Sequence, residues 1–186
     1  MRLLRSGECL KVIKKRMKWI SAIMTGMLVG LVASCSSSEC YENHSALPLA
    51  SFYNKATLQE VSLVRLEIYG LGAPGDSILY TPQTLAQAYL PFRMWQDSTQ
   101  YVFAYYGMVN DSIASLHPEK VPRDTVTFIY KPKEWFVSPE CGAMYFYDMD
   151  TVAHSSFLID SIAYNELITN ENTVNLKFYF KEEISE

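Results

Sequence analysis

The chain has 186 residues, with 16 Lys and Arg against 20 Asp and Glu, for a net charge of −4. Residues 1–34 hold seven of the basic residues and one of the acidic ones, so the 152 residues Cys35–Glu186 keep nine against nineteen, a net charge of −10. A body this acidic, without a Lys/Arg stripe, repels nucleic acid, and its length suits one domain with a real core.

In chain order, the first organised stretch is Met17–Cys35. A positive start is followed by an apolar run, small residues and one cysteine, the layout of a secretory signal. Met17 is as plausible a start as Met1. The ending Val32-Ala33-Ser34-Cys35 resembles the lipobox of bacterial lipoproteins, in which the cysteine thiol takes a diacylglyceryl group and the chain is cut just before it. Trp19–Ser34 offers 16 uncharged residues, short of the roughly 17–25 of a spanning helix. The expected organisation is a removed signal (1–34), a lipid-anchored tether (35–45) and a β-sandwich domain (46–186). The expected location is the outer membrane, with both of its faces left open. Of the four cysteines, Cys9 leaves with the signal and Cys35 takes the lipid. Cys40 and Cys141 then remain in an oxidising compartment, where a disulfide between them is the natural reading.

Tyr41–Thr57 reads as a strap ending in a short strand. Val61–Tyr69 alternates, with Val64, Leu66 and Ile68 on one face and Leu63, Arg65, Glu67 and Tyr69 on the other, as in a half-buried strand. Gly70–Gly75 spells GxGxxG, but the dinucleotide fingerprint needs a helix after the glycines. Ser77–Tyr80 reads as a short strand stopped by Pro82, so the loop is a turn. Leu85–Trp95 favours strand weakly, Thr99–Tyr106 strongly, and Val109–Lys120 has room for one helical turn. Asp124–Tyr130 alternates, with Val126, Phe128 and Tyr130 on one side. Trp135–Val137 and Ala143–Tyr147 read as short strands around Cys141-Gly142. Phe157–Ile168 and Thr173–Phe180 form a hairpin through Asn170–Asn172, with Val174, Leu176, Phe178 and Phe180 on one face. Short strands separated by turns, with no sustained helical period, predict an all-β, antiparallel β-sandwich, immunoglobulin-like in arrangement, with an open β-barrel as the alternative.

The lipobox, the second cysteine at Cys40, Tyr69–Gly72 with Asp76-Ser77, the block Val137–Gly142 and the closing hairpin, in that order, resemble a family of small bacterial outer-membrane lipoproteins known as a domain of unknown function. Ala143 departs from the aromatic residue expected after Cys141-Gly142. The resemblance implies a lipidated β domain and supplies no catalytic residues.

Few residues suggest chemistry. No GxSxG elbow is present. Asp148 and Asp150 lack the sixth-position glycine of a calcium loop, where Ala153 stands. His44, His117 and His154 lie far apart, so neither a metal nor a cofactor is expected. Trp95 and Trp135, near predicted loops, have the flat faces that stack on sugars, although aromatic residues also favour sheets. Six of the seven aspartates precede Ser or Thr and then a β-branched residue. This order resembles a bacterial O-glycosylation acceptor at Ser77, Ser98, Ser112, Thr125, Thr151 and Ser161, although turn chemistry also favours each residue type. The expectation is a non-enzymatic envelope lipoprotein, structural or protein-binding, held to the membrane by its lipid. The alternative is a tethered glycan-binding module.

Overall fold

Burial alternates with the two-residue period of strands at Leu66–Gly70, Asp124–Tyr130 and Leu176–Phe180, and is continuous at Leu49–Phe52 and Tyr101–Tyr105. Among the described residues there are ten strands: β1 (Leu49–Asn54), β2 (Leu63–Gly70), β3 (Ile78–Leu85), β4 (Gln87–Tyr89), β5 (Ser98–Tyr105), β6 (Arg123–Ser138), β7 (Gly142–His154), β8 (Ile159–Tyr164), β9 (Leu167–Ile168) and β10 (Val174–Phe180). The structure is a computed structural model, and it describes residues 45–72, 77–139 and 141–181. All of these belong to the compact unit Tyr41–Glu186. One sheet has the order β4-β1-β10-β8 and the other β3-β2-β5-β6-β7-β9. The two pack as a sandwich, and one of them curls into a half-barrel. The predicted all-β class holds, and the fold combines features of the sandwich and the open barrel. All strand pairs are antiparallel except β1 with β10.

The core is aromatic. Phe52 and Phe178 of the smaller sheet meet Phe103 of the larger one, Phe178 also meets Phe128, and Phe180 meets Tyr105, all buried. The one α-helix among the described residues, α1 (Asp111–Leu116), lies in the predicted helical window. It starts where the Asn110 side chain accepts the Ile113 N–H at 2.9 Å.

Four expectations are corrected. In β2, Leu63 is buried and Val64 exposed, the reverse of simple alternation. Arg65 adopts φ +50°, and the pairing with β3 shifts between Leu63 and Leu66, so a bulge turns the first half of the strand over. Proline does not stop β3 at Pro82, and β6 runs on through Pro132. β3 is an edge strand, and Pro132 lies past the end of the pairing of β6 with β5, so neither ring removes a required donor. The predicted short strands Trp135–Val137 and Ala143–Tyr147 are therefore the ends of one long β6–β7 hairpin. In the closing hairpin, β8 pairs with β10 as expected, but Leu167–Ile168 crosses to the other sheet and pairs with β7.

The bulge packs against Gly107, where an added Cβ would stand 2.4 Å from the Val64 carbonyl oxygen. The Arg65 guanidinium reaches Asp111 at 2.8 Å. Gly107→Ala must therefore push backbone against backbone. Its expected effect is a loss of about 1–3 kcal/mol, read as a lower urea midpoint with unchanged slope.

Candidate functional site

The loop Leu90–Asp97 carries the chain from the smaller sheet to the larger one, and three buried tyrosines hold it. The hydroxyl of Tyr101 donates to the Pro91 carbonyl, that of Tyr147 to Phe92 at 3.1 Å and that of Tyr130 to Arg93 at 3.1 Å. Three successive carbonyls are thus fixed from below. Tyr130 also accepts the Arg93 N–H at 2.8 Å and lies 2.6 Å from the Thr99 hydroxyl. The Phe92 ring stacks on Tyr130 with centroids 4.5 Å apart. Burial pushes all three phenols up, Tyr147 to about 12, so at neutral pH each is a neutral donor.

On this braced loop Trp95 is 82% exposed. Its ring meets Tyr145 of β7 edge-on, with centroids 5.5 Å apart. Trp95, Tyr145, Gln96, Asp97, Met94 and Glu134 border an open hollow of about 700 Å³. Arg93 orients Gln96 through a 2.8 Å hydrogen bond. A flat aromatic face flanked by amide and carboxylate acceptors is suited to the hydroxyls and apolar face of a sugar ring.

The second predicted stacking residue is not part of this shelf. Glu134 is paired with Tyr145, and Trp135 with Met144. Strand alternation therefore puts Trp135 on the opposite face of the hairpin from Trp95.

A second hollow, of about 460 Å³, lies beside Glu67, Tyr69, Tyr106 and Arg123. Burial raises the Glu67 carboxyl, opposed by the Tyr106 hydroxyl and the Arg123 charge. Arg123 is occupied, donating to the carbonyls of Pro118 and Val121.

The six candidate acceptor hydroxyls are spread over the surface. Ser77, Ser112 and Thr151 are exposed, and Ser98, Thr125 and Ser161 half-buried. Ser112 sits on α1, while Ser98, Thr125, Thr151 and Ser161 lie on strands β5, β6, β7 and β8. Ser161 already donates to Asp160 and accepts from Lys55, both at 2.9 Å. Cys35 and Cys40 lie outside the described residues. Cys141 sits at the β6–β7 turn, where its N–H donates to the Ser138 hydroxyl at 3.1 Å. Cys141 is bonded rather than a free thiol. β3 follows the glycine loop as a strand antiparallel to β2, so the helix of a nucleotide fingerprint is not there. Among the described residues no group of His, Cys, Asp or Glu could hold a metal ion.

Asp124 and the three tyrosines were not foreseen as key positions. The available signal was their inward place in an alternating strand, because a buried phenol or carboxylate must find partners.

The fold and its surface define an all-β sandwich with one braced, exposed aromatic shelf. Residues 65–180 match the model of a family of unknown function (DUF6452), and the chain belongs to that family. No curated protein and no solved structure matches it.

Proposed function

We propose that the protein is a non-enzymatic cell-envelope lipoprotein, held to the outer membrane by a lipid on Cys35, with the sandwich as a structural or protein-binding body. The observation that carries this reading is the order of charge, apolar run and small residues ending at Val32–Cys35. The fold is compatible with it. Among the buried polar side chains, Asp124 and the tyrosines at 101, 130 and 147 are occupied by backbone groups. Cys35→Ala is expected to lose incorporation of an alkyne fatty acid and to keep its signal. Undiminished label in the variant overturns the reading. The intact mass of the native protein reads the linked modifications as well: acyl chains, the loss of two thiol protons in a Cys40–Cys141 bridge, and sugar increments on the Asp-Ser/Thr sites.

The Trp95 shelf favours a second reading, a lipid-tethered glycan-binding module. Trp95→Ala should leave the melting temperature unchanged, because the ring is mostly in solvent. It should weaken binding of envelope oligosaccharides about ten-fold in calorimetry. Equal affinity of parent and variant removes this reading.

A further inference from the structure

Among the described residues, the three most exposed aromatic side chains are Trp95, Phe136 and Trp135, at 82%, 66% and 60%. Two of them stand at the end of the β6–β7 hairpin. β6 pairs with β5 only through Ile129, and β9 covers β7 only at Tyr147 and Asp148. The hairpin therefore runs on as two strands beyond the rest of its sheet. Trp135 is paired with Met144, and Phe136 with Ala143. Lys133, two residues before Trp135, is neutralised by Asp148 at 2.9 Å. The face of the hairpin end that carries Trp135 is thus apolar apart from this neutral pair, Glu134 lies on the Trp95 side, and Glu140 falls between β6 and β7 in the sequence.

The chain from the N-terminus arrives at this same place. The Ser45 hydroxyl accepts the Tyr145 N–H at 3.1 Å, and the Ala46 N–H donates to the Tyr145 carbonyl at 2.7 Å. Tyr145 is next to Met144, the partner of Trp135. Ser45 is ten positions after Cys35, and at about 3.3–3.6 Å per position this stretch reaches at most about 35 Å.

We propose that Trp135, Phe136 and Met144 form a membrane-contact surface, seated at the water–lipid boundary of the bilayer that holds the Cys35 acyl chains. This rests on the lipoprotein reading above. Tryptophan suits that boundary because its ring is apolar and its N–H is polar. A lysine stem beside it can lie along the apolar surface while its head stays in water. The opposite shelf, with Asp97 and Glu134 beside Trp95, carries charge that a bilayer disfavours and is left in water. The contact holds the sandwich in one orientation, with the Trp95 hollow at the side of the molecule.

Once the signal is removed, only Trp95 and Trp135 remain as tryptophans, so two variants separate them. Purified, lipidated Trp95→Phe protein (reporting Trp135) and Trp135→Phe protein (reporting Trp95) are reconstituted into phosphatidylcholine vesicles. The vesicles contain lipid with or without bromine in the upper acyl chain. Trp135 is expected to lose most of its emission to the brominated lipid and to be shielded from aqueous acrylamide. Trp95 is expected to keep its emission and to remain open to acrylamide. Trp135 unquenched by bromine but open to acrylamide overturns the contact. Trp135 shielded from both overturns it in favour of a protein covering the tip. Intact mass separates the two levels: acylated protein with an unquenched Trp135 refutes the contact alone, whereas protein without acyl chains refutes the anchor and the contact with it.

Discussion

Asp124→Ala is expected to cost about 3–5 kcal/mol, the range for opening a buried charged network. The carboxylate is fully buried at the start of β6, and among the described residues it forms no ion pair. Five donors surround it instead. Oδ1 accepts the Ser155 hydroxyl at 2.6 Å and the Phe157 N–H at 2.7 Å. Oδ2 accepts the Leu158 and Ile159 amides at 2.8 and 3.1 Å and the Tyr105 hydroxyl at 2.9 Å. Four of these groups belong to the link from β7 into β8, where the chain leaves one sheet for the other, and the fifth, Tyr105, ends β5. Removing the carboxylate orphans all of them at once. Asparagine should restore little, because its NH₂ group would face donors on one side.

The same network sets the acid limit of the fold. Burial pushes the Asp124 carboxyl up, but the Ser155 hydroxyl and the amides of Leu158, Ile159 and Phe157 together outweigh it and hold it below its ordinary 3.8. A folded value below the unfolded one means that the stabilisation is complete above the unfolded value. It is lost as pH falls through the folded value. The parent should therefore lose stability steeply below about pH 4, and Asp124→Ala should show a flatter acid dependence from a lower plateau. Urea melts at neutral and acid pH measure both. A variant that melts with the parent, or keeps its full acid slope, refutes this account.

What the sequence revealed and what it hid follow from the range of each interaction. Alternation in β6 and β10 was visible because one face is buried and a two-residue period needs no knowledge of partners. Pro82 misled because proline is excluded only from strands with neighbours on both sides, and edge position is a property of the assembled sheet. The Arg65 bulge was hidden because an arginine at positive φ gives no local sign. Its support comes from Gly107 and Asp111, more than forty positions away. Leu167–Ile168 looked like the continuation of β8 until β7 offered it a closer partner. The aspartates show the limit of motif reading most directly. Asp124-Thr125 fits the same three-residue pattern as Asp111-Ser112. Yet Asp124 is enclosed by five donors, while Asp111 is exposed and paired with Arg65. Of the candidate shelf, Trp95 was legible by type. Its brace was not, since Tyr101, Tyr130 and Tyr147 come from three different strands.

The other large effect is expected at Phe178, where Phe178→Ala should cost about 3–5 kcal/mol. The ring has no exposure and belongs to β10, a central strand of the smaller sheet. It lies 5.1 Å from the Phe103 ring and 6.5 Å from Phe128, both on the larger sheet, and 5.9 Å from Phe52 beside it. Truncation removes a side chain that bridges the layers and leaves a cavity walled by rigid rings, which cannot collapse to fill it. Against a typical total of about 5–15 kcal/mol this is a large share, so the variant should be close to unfolding at physiological temperature. Phe178→Leu keeps most of the apolar volume and should cost less than about 1.5 kcal/mol. Tyr179→Ala is the control on the other face. That ring is half-buried and stacks outside the core on Tyr53, beneath the Lys55 ammonium. Its loss should be smaller than that of Phe178→Ala. Equilibrium urea unfolding of the three variants gives the order, and a Phe178→Ala midpoint no lower than that of Tyr179→Ala would show that the two sheets do not depend on this contact.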